Sequence, residues 1–172
     1  MEIKLLQLLS QNTKLSIGEL SRLLELSTLQ ILAIIARINA LKTGSIISSG
    51  SSYQLIHPLN WLNHNTIQEL LKAQQLDYQV HLLSQTESTN SYALKHINQL
   101  PHKSIVSCDW QSAGRGRFGR HWLSSIAHDL TVSIVYNFNA NFNLQLMPLI
   151  CAVAINRSLK NYRISNQIKW PN

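Results

Sequence analysis

The sequence predicts an α+β fold, and three observations carry that prediction. Residues 1–42 place apolar side chains at helical spacing, residues 46–55 read as a β-hairpin, and from residue 78 onward short apolar strands alternate with helical segments. An apolar content of 45% is enough to bury a core. No run reaches the roughly 18 consecutive apolar residues that a membrane span needs. The N-terminus reads as an amphipathic helix without a small-residue cleavage site, so a soluble cytoplasmic protein with no membrane partner is expected.

Leu5, Leu6, Leu8 and Leu9 mark a first helix. Ser16 and Glu19 stand at capping-box spacing and open a second, which runs to about Leu26. From Thr28 to Lys42 apolar residues recur at Ile31, Ile34, Ile35, Ile38 and Leu41, a third helix. Ile46-Ile47, a serine-glycine turn over residues 48–52 and Tyr53-Gln54-Leu55 complete a hairpin. Three helices followed by a hairpin is the layout of a winged helix-turn-helix, assigned to residues 1–60. His57-Pro58 breaks the pattern, and residues 61–75 form a linker with a short helix around Thr66–Lys72.

Residues 76–172 form the second part. Tyr78–Leu83 alternates like a strand, Ser88-Thr89-Asn90 caps a helix to about Ile97, and Ile105–Trp110 is a buried strand. Leu130–Tyr136 is a further strand, Leu144–Lys160 a mostly apolar helix, and Ile168-Lys169-Trp170 the start of another strand. Cys108 and Cys151 lie in apolar segments without C-x-x-C spacing, which predicts buried free thiols. The seven histidines show no ligand spacing, so no metal site is expected within the chain.

The formal net charge of +7 is unevenly distributed: +2 over residues 1–42, −1 over 43–100 and +6 over 101–172. Its focus is Trp110–Trp122, W-Q-S-A-G-R-G-R-F-G-R-H-W, read as one unbroken loop. Gly114, Gly116 and Gly119 allow positive φ and close backbone approach. Arg115, Arg117 and Arg120 offer forked donors to carboxylate and phosphate oxygens, so an anionic guest is expected. The spacing Gly114-x-Gly116-x-x-Gly119 matches a dinucleotide fingerprint literally, but no helical pattern follows it; a P-loop lacks its Gly-Lys-Ser/Thr.

Ser88-Thr89-Asn90, then after about twenty residues Gln-x-x-Gly-Arg-Gly-Arg-x-Gly-Arg-x-Trp from Gln111 to Trp122, then Lys169-Trp170-Pro171-Asn172, resembles the bacterial biotin protein ligases that carry an N-terminal DNA-binding domain. The resemblance implies a class II synthetase-like mixed-sheet catalytic domain, of which this chain holds the first part, and the expectation is a truncated ligase. It implies biotin and ATP as substrates with Mg²⁺, and the biotin carboxyl carrier protein of acetyl-CoA carboxylase as acceptor. By similarity, Ser88, Thr89, Asn90, Gln111, Arg115, Gly116 and Arg117 bind biotin; Arg117, Arg120, Trp122 and Asn172 meet the nucleotide; and Arg115, Arg117 and Lys169 serve the chemistry. After Trp122 the family's usual Ser-Pro-x-Gly and Asn-Leu become Ser124-Ser125-Ile126-Ala127 and Asp129-Leu130, which puts a side chain at a glycine position and a negative charge near an anionic substrate.

Operator DNA and a second copy of the chain are further candidate partners. Within the third helix only Thr28, Gln30, Arg37, Asn39 and Lys42 offer polar contacts, and Leu29, Leu32, Ile34 and Ile35 stand where base-reading side chains are expected. A structural or dimerising role for this part therefore stands beside operator binding. A DNA-binding regulator that only senses biotin is the alternative to the enzyme, and a lipoate-attaching ligase is the nearest enzymatic one.

Overall fold

The structure, a computed structural model, describes residues 1–41, 46–116, 119–139 and 141–169. Contacts divide the chain into two units, Met1–Tyr136 and Asn137–Asn172.

The first unit opens with helix α1, Glu2–Gln11, which buries Ile3, Leu5, Leu6 and Leu9. A two-residue strand β1, Leu15–Ser16, leads into α2, Ile17–Leu24, and then α3, Thr28–Ala40. Ser16 and Glu19 form the predicted capping box, and Ser27 with Gln30 forms a second one on α3. Between these helices Glu25 adopts the left-handed conformation, φ 55°, where a glycine is the usual solution. Strands β2, Ile46–Ser49, and β3, Ser52–Leu55, make the predicted hairpin, with Gly50 at φ 65° in its two-residue turn. β1 adds to β3 through Leu15 opposite Tyr53, giving an antiparallel sheet of order β1-β3-β2. Periodicity did not show β1, because two residues are too few to reveal alternation. Leu5, Leu6, Leu20, Ile31 and Ile38 are fully buried at the centre of this portion.

After α4, His64–Ala73, capped by Asn63, comes the sheet that builds the site. Strand β4, Gln79–Leu83, connects through α5, Thr89–Lys95, to β5, Ser104–Cys108, and the two strands are parallel. β5 then pairs antiparallel with Thr131–Val135, so the sheet is mixed with β5 at its centre. Val106 and Cys108, fully buried, point into its packed side.

The second unit contains a 3₁₀ turn, Leu144–Leu146, continuing into the helix Met147–Asn161. No residue of that helix is buried, so Cys151 is exposed, contrary to the expectation from its apolar neighbours; Cys108 is buried as expected. The strand expected at residues 168–170 is absent from 168–169, which are irregular; Trp170 lies outside the described residues. A strand needs a hydrogen-bonded neighbour, and no described residue pairs with these. Among the described residues no single helix is long and apolar enough to cross a membrane.

Replacing Ser27 by alanine removes the acceptor for the Gln30 amide and should lower unfolding stability by about 1 kcal/mol, read from urea denaturation.

Candidate functional site

The site begins where β4 and β5 end. Their parallel pairing continues past the strands: the Thr86 amide donates to the Trp110 carbonyl at 3.1 Å, Ser112 to Thr86 at 2.9 Å and Ala113 to Glu87 at 3.0 Å. This zip lays the chain carrying Gln111 against the N-terminus of α5. Ser88 caps that helix, its Oγ accepting from the Ser91 amide, and both Ser88 and Thr89 are buried. Gln111 Oε1 accepts from the Thr89 amide at 2.7 Å and from Thr89 Oγ1 at 3.1 Å. A backbone N–H only donates, so the Gln111 carbonyl must face Thr89 and its amide nitrogen must point elsewhere. Thr89 has one hydroxyl proton, given to Gln111; the 2.9 Å contact between Thr89 Oγ1 and Ser133 Oγ is therefore a donation by Ser133.

The expected unbroken arginine loop is instead a hairpin at its base. Strand β6, Gly114–Arg115, pairs with β7, His121–Trp122, and the Gly116 amide donates to the Arg120 carbonyl at 2.7 Å. Of the three glycines only Gly119 has positive φ, 72°. Gly114 is required for a different reason: a Cβ there would lie 2.8 Å from the Trp122 carbonyl oxygen.

These elements enclose a pocket of about 230 Å³ lined by Ser88, Thr89, Asn90, Gln111, Arg115, Trp122 and the run Leu130–Ser133. Six residues nominated from the sequence thus converge. The strand Thr131–Val135, now β8, supplies the wall that motif reading missed; its signal was two hydroxyl residues, Thr131 and Ser133, on one face of an apolar strand. Gly116 and Arg120 belong to the hairpin but do not line the pocket. Arg117 and Asn172 lie outside the described residues. Lys169 belongs to the second unit, where it lines a groove of about 270 Å³ with Ile155, Leu159 and Asn166.

Among the described residues no carboxylate lines the pocket. Asp129 Oδ2 accepts from the Ser125 amide at 2.6 Å and closes a local turn. Ala127 occupies the glycine position with φ 52°, buried, its amide donating to Asp109. The left-handed backbone costs an alanine about 1 kcal/mol, a cost offset in part by its buried methyl group. Among the described residues no three His, Cys, Asp or Glu side chains are placed to hold a metal ion. No step is assigned to Mg²⁺.

The residues nominated for DNA contact are largely engaged within the chain. Gln30 Oε1 accepts from the Ser27 amide and hydroxyl, and Asn39 exchanges two hydrogen bonds with the Ile46 backbone. Arg37 pairs with Glu2 at 3.1 Å, an exposed contact worth under about 1 kcal/mol. Thr28 opens α3, and Lys42 lies outside the described residues.

Comparison with known proteins places this geometry in context. Residues 82–172 match the Biotin/lipoate A/B protein ligase family. The bifunctional ligase/repressor BirA of Escherichia coli (strain K12) is 32% identical over 128 residues, 72% of this chain and 38% of the relative. That of Bacillus subtilis (strain 168) is 31% identical over 127 residues, 70% of this chain and 38% of the relative. The chain thus spans well under half the length of these curated relatives. A solved biotin protein ligase from Aquifex aeolicus, in complex with biotin and ATP, aligns with a TM-score of 0.49 at 28% identity, over 55% of this chain and 40% of that one.

Two outcomes follow from the geometry. Gly114→Ala should open the β6–β7 pairing, because the atom it meets is backbone and cannot swing aside; the loss would appear as faster hydrogen exchange at Gly116. Burial raises the Asp109 carboxyl above the ordinary carboxylate range, with the Leu62 amide opposing the shift. A raised folded value means that ionisation costs stability as pH rises through it. Asp109→Asn should therefore match the parent near pH 3 and exceed it in thermal midpoint at pH 7.

Proposed function

Since this chain belongs to the biotin/lipoate A/B protein ligase family, we propose that its pocket receives biotin for activation by ATP and transfer to a lysine of the biotin carboxyl carrier protein, in the cytoplasm. One observation carries the reading: Ser88, Thr89, Gln111, Arg115 and Trp122, drawn from an N-cap, a helix, a loop and a hairpin, line a single pocket. The polar end suits the ureido ring, whose carbonyl would meet the free amide donors of Gln111 and the Ser88 hydroxyl. Trp122 and Leu130 offer apolar surface to the rest of the molecule. Arg115, at the hairpin base, would meet the carboxylate.

In the proposed reaction a carboxylate oxygen of biotin bonds to the α-phosphorus of ATP and pyrophosphate leaves. The lysine amine then attacks the acyl carbon, releasing AMP and a proton. Negative charge builds on oxygens in the first step, and fixed guanidinium groups, Arg115 and by resemblance Arg117, are suited to stabilise it. No protein nucleophile is called for.

Residues 1–60 we read as a winged helix-turn-helix, residues 61–75 as linker, and 76–172 as the first part of the catalytic domain. Gln30 and Asn39 of α3 bond to Ser27 and Ile46, and Arg37 pairs with Glu2, which favours a structural role for that portion over operator recognition.

Calorimetric titration of the chain with biotin, alone and with ATP, tests the reading. Biotin should bind one to one and lipoate should not compete. Gln111→Ala should weaken biotin binding by about 2 kcal/mol, roughly thirtyfold in Kd, since it leaves Thr89 without its acceptor. Absence of biotin binding, or equal binding of lipoate, would defeat it.

A further inference from the structure

We propose that Asp109 is a positioning residue that clips residues 59–62 onto the pocket wall, so that the N-terminal helical portion holds Gln111 in register. Asp109 ends the β5 run two residues before Gln111, and it is buried, 7% exposed. Its amide donates to Leu83 at 3.1 Å and its carbonyl accepts from Ala127 at 2.8 Å, so its backbone is fixed on both sides. Its side chain then reaches out of the sheet: Oδ1 accepts from the Leu62 amide at 3.1 Å.

The connecting segment is tied at every step. Leu59 is buried in one apolar cluster with Ile126, Ala127 and the core of α1 to α3. The Asn60 amide donates to the Ala127 carbonyl at 3.1 Å. The Trp61 indole donates to Ser10 Oγ at 2.9 Å, and Ser10 donates to Leu6 within α1. Hydrogen bonds tie α1 to Trp61 and Leu62 to Asp109, so that with the covalent chain between them a path runs from α1 to Asp109 and on along the backbone to Trp110 and Gln111. Residues 61 and 62, the start of the segment read as a linker, thus belong to a strut.

Burying a carboxylate against one amide is costly, and an apolar residue would fill the space more cheaply. What the carboxylate supplies is a directional acceptor for an amide that has no strand partner. Asparagine offers the same acceptor without charge; alanine offers none. That the wall so held is a biotin site rests on the function proposed above, so the test reads the wall directly as well as through ligand.

The experiment measures amide hydrogen exchange by NMR on the whole 172-residue chain without ligand, for the parent, Asp109→Ala and Asp109→Asn. In Asp109→Ala the amides of Thr86, Thr89, Ser112 and Ala113 should exchange at least tenfold faster, while those of β5 and β8 keep parental rates. Asp109→Asn should restore the four. Unchanged rates in the alanine variant, failure of asparagine to rescue, or uniform acceleration across the sheet would overturn the proposal. Should the alanine variant not fold, Trp61→Phe decides: it keeps the ring packing, cuts the bond to Ser10, and must speed the same four amides. Biotin titration separates the two readings. A parent that binds no biotin defeats the functional reading but leaves the exchange result standing; a parent that binds, with Asp109→Ala binding equally well, defeats the positioning role.

Discussion

The parallel zip between residues 86–87 and 110–113 is the constraint on which the rest depends. Strands β4 and β5 pair in parallel, and parallel strands require a crossover, here α5. Because the pairing runs on beyond the strands, the start of α5 and the chain leading into the hairpin are held side by side. Thr89 and Gln111, 22 residues apart in sequence, then share hydrogen bonds as a matter of topology. The hairpin inherits its position from Ala113, whose amide closes the zip immediately before Gly114.

Much of this was legible in the residues. Capping at Ser16 and Ser88, the hairpin at residues 46–55 and the strands of the mixed sheet all follow from local chemistry, and each lies within a few residues of its expected limits. The pocket's motif residues converge because they sit at strand ends, where pattern reading places loops. What stayed hidden was nonlocal. β1 forms only because β3 offers it an edge, and the β8 wall faces the pocket only because β8 returns antiparallel beside β5. Cys151 looked buried because apolar neighbours predict a covered face, yet periodicity says nothing about what covers it. The glycines of the arginine segment were read as free to take positive φ; Gly119 takes it, whereas Gly114 is demanded by the approach of Trp122, a distance that no single sequence displays.

Polar groups in the N-terminal portion show a consistent economy. Gln30, Asn39, Ser16 and Glu19 each satisfy backbone at a helix end or strand start. Hydrogen bonds to Ser16 hold the Glu19 carboxyl below its ordinary value, so that cap persists down to mildly acid conditions and weakens only as pH falls through the lowered value.

Hydrogen-bond direction at the pocket sets what it can accept. Ser133 donates to Thr89, Thr89 donates to Gln111, and the backbone amide of Thr89 fixes the sense of the chain, so that the outward end of Gln111 is a donor. Reversal would require the Gln111 amide nitrogen to face the Thr89 N–H, two donors in contact within a buried site, at the cost of an unsatisfied group of about 1–3 kcal/mol. A guest lodged there must therefore present an acceptor at that point. On the proposed reading this is the ureido carbonyl, and a ring lacking one, such as the dithiolane of lipoate, would leave the Gln111 donors unpaired. Discrimination between the two acids would then arise from the polarity of three side chains, while the arginine hairpin, which sees a carboxylate in either case, would contribute affinity without choosing.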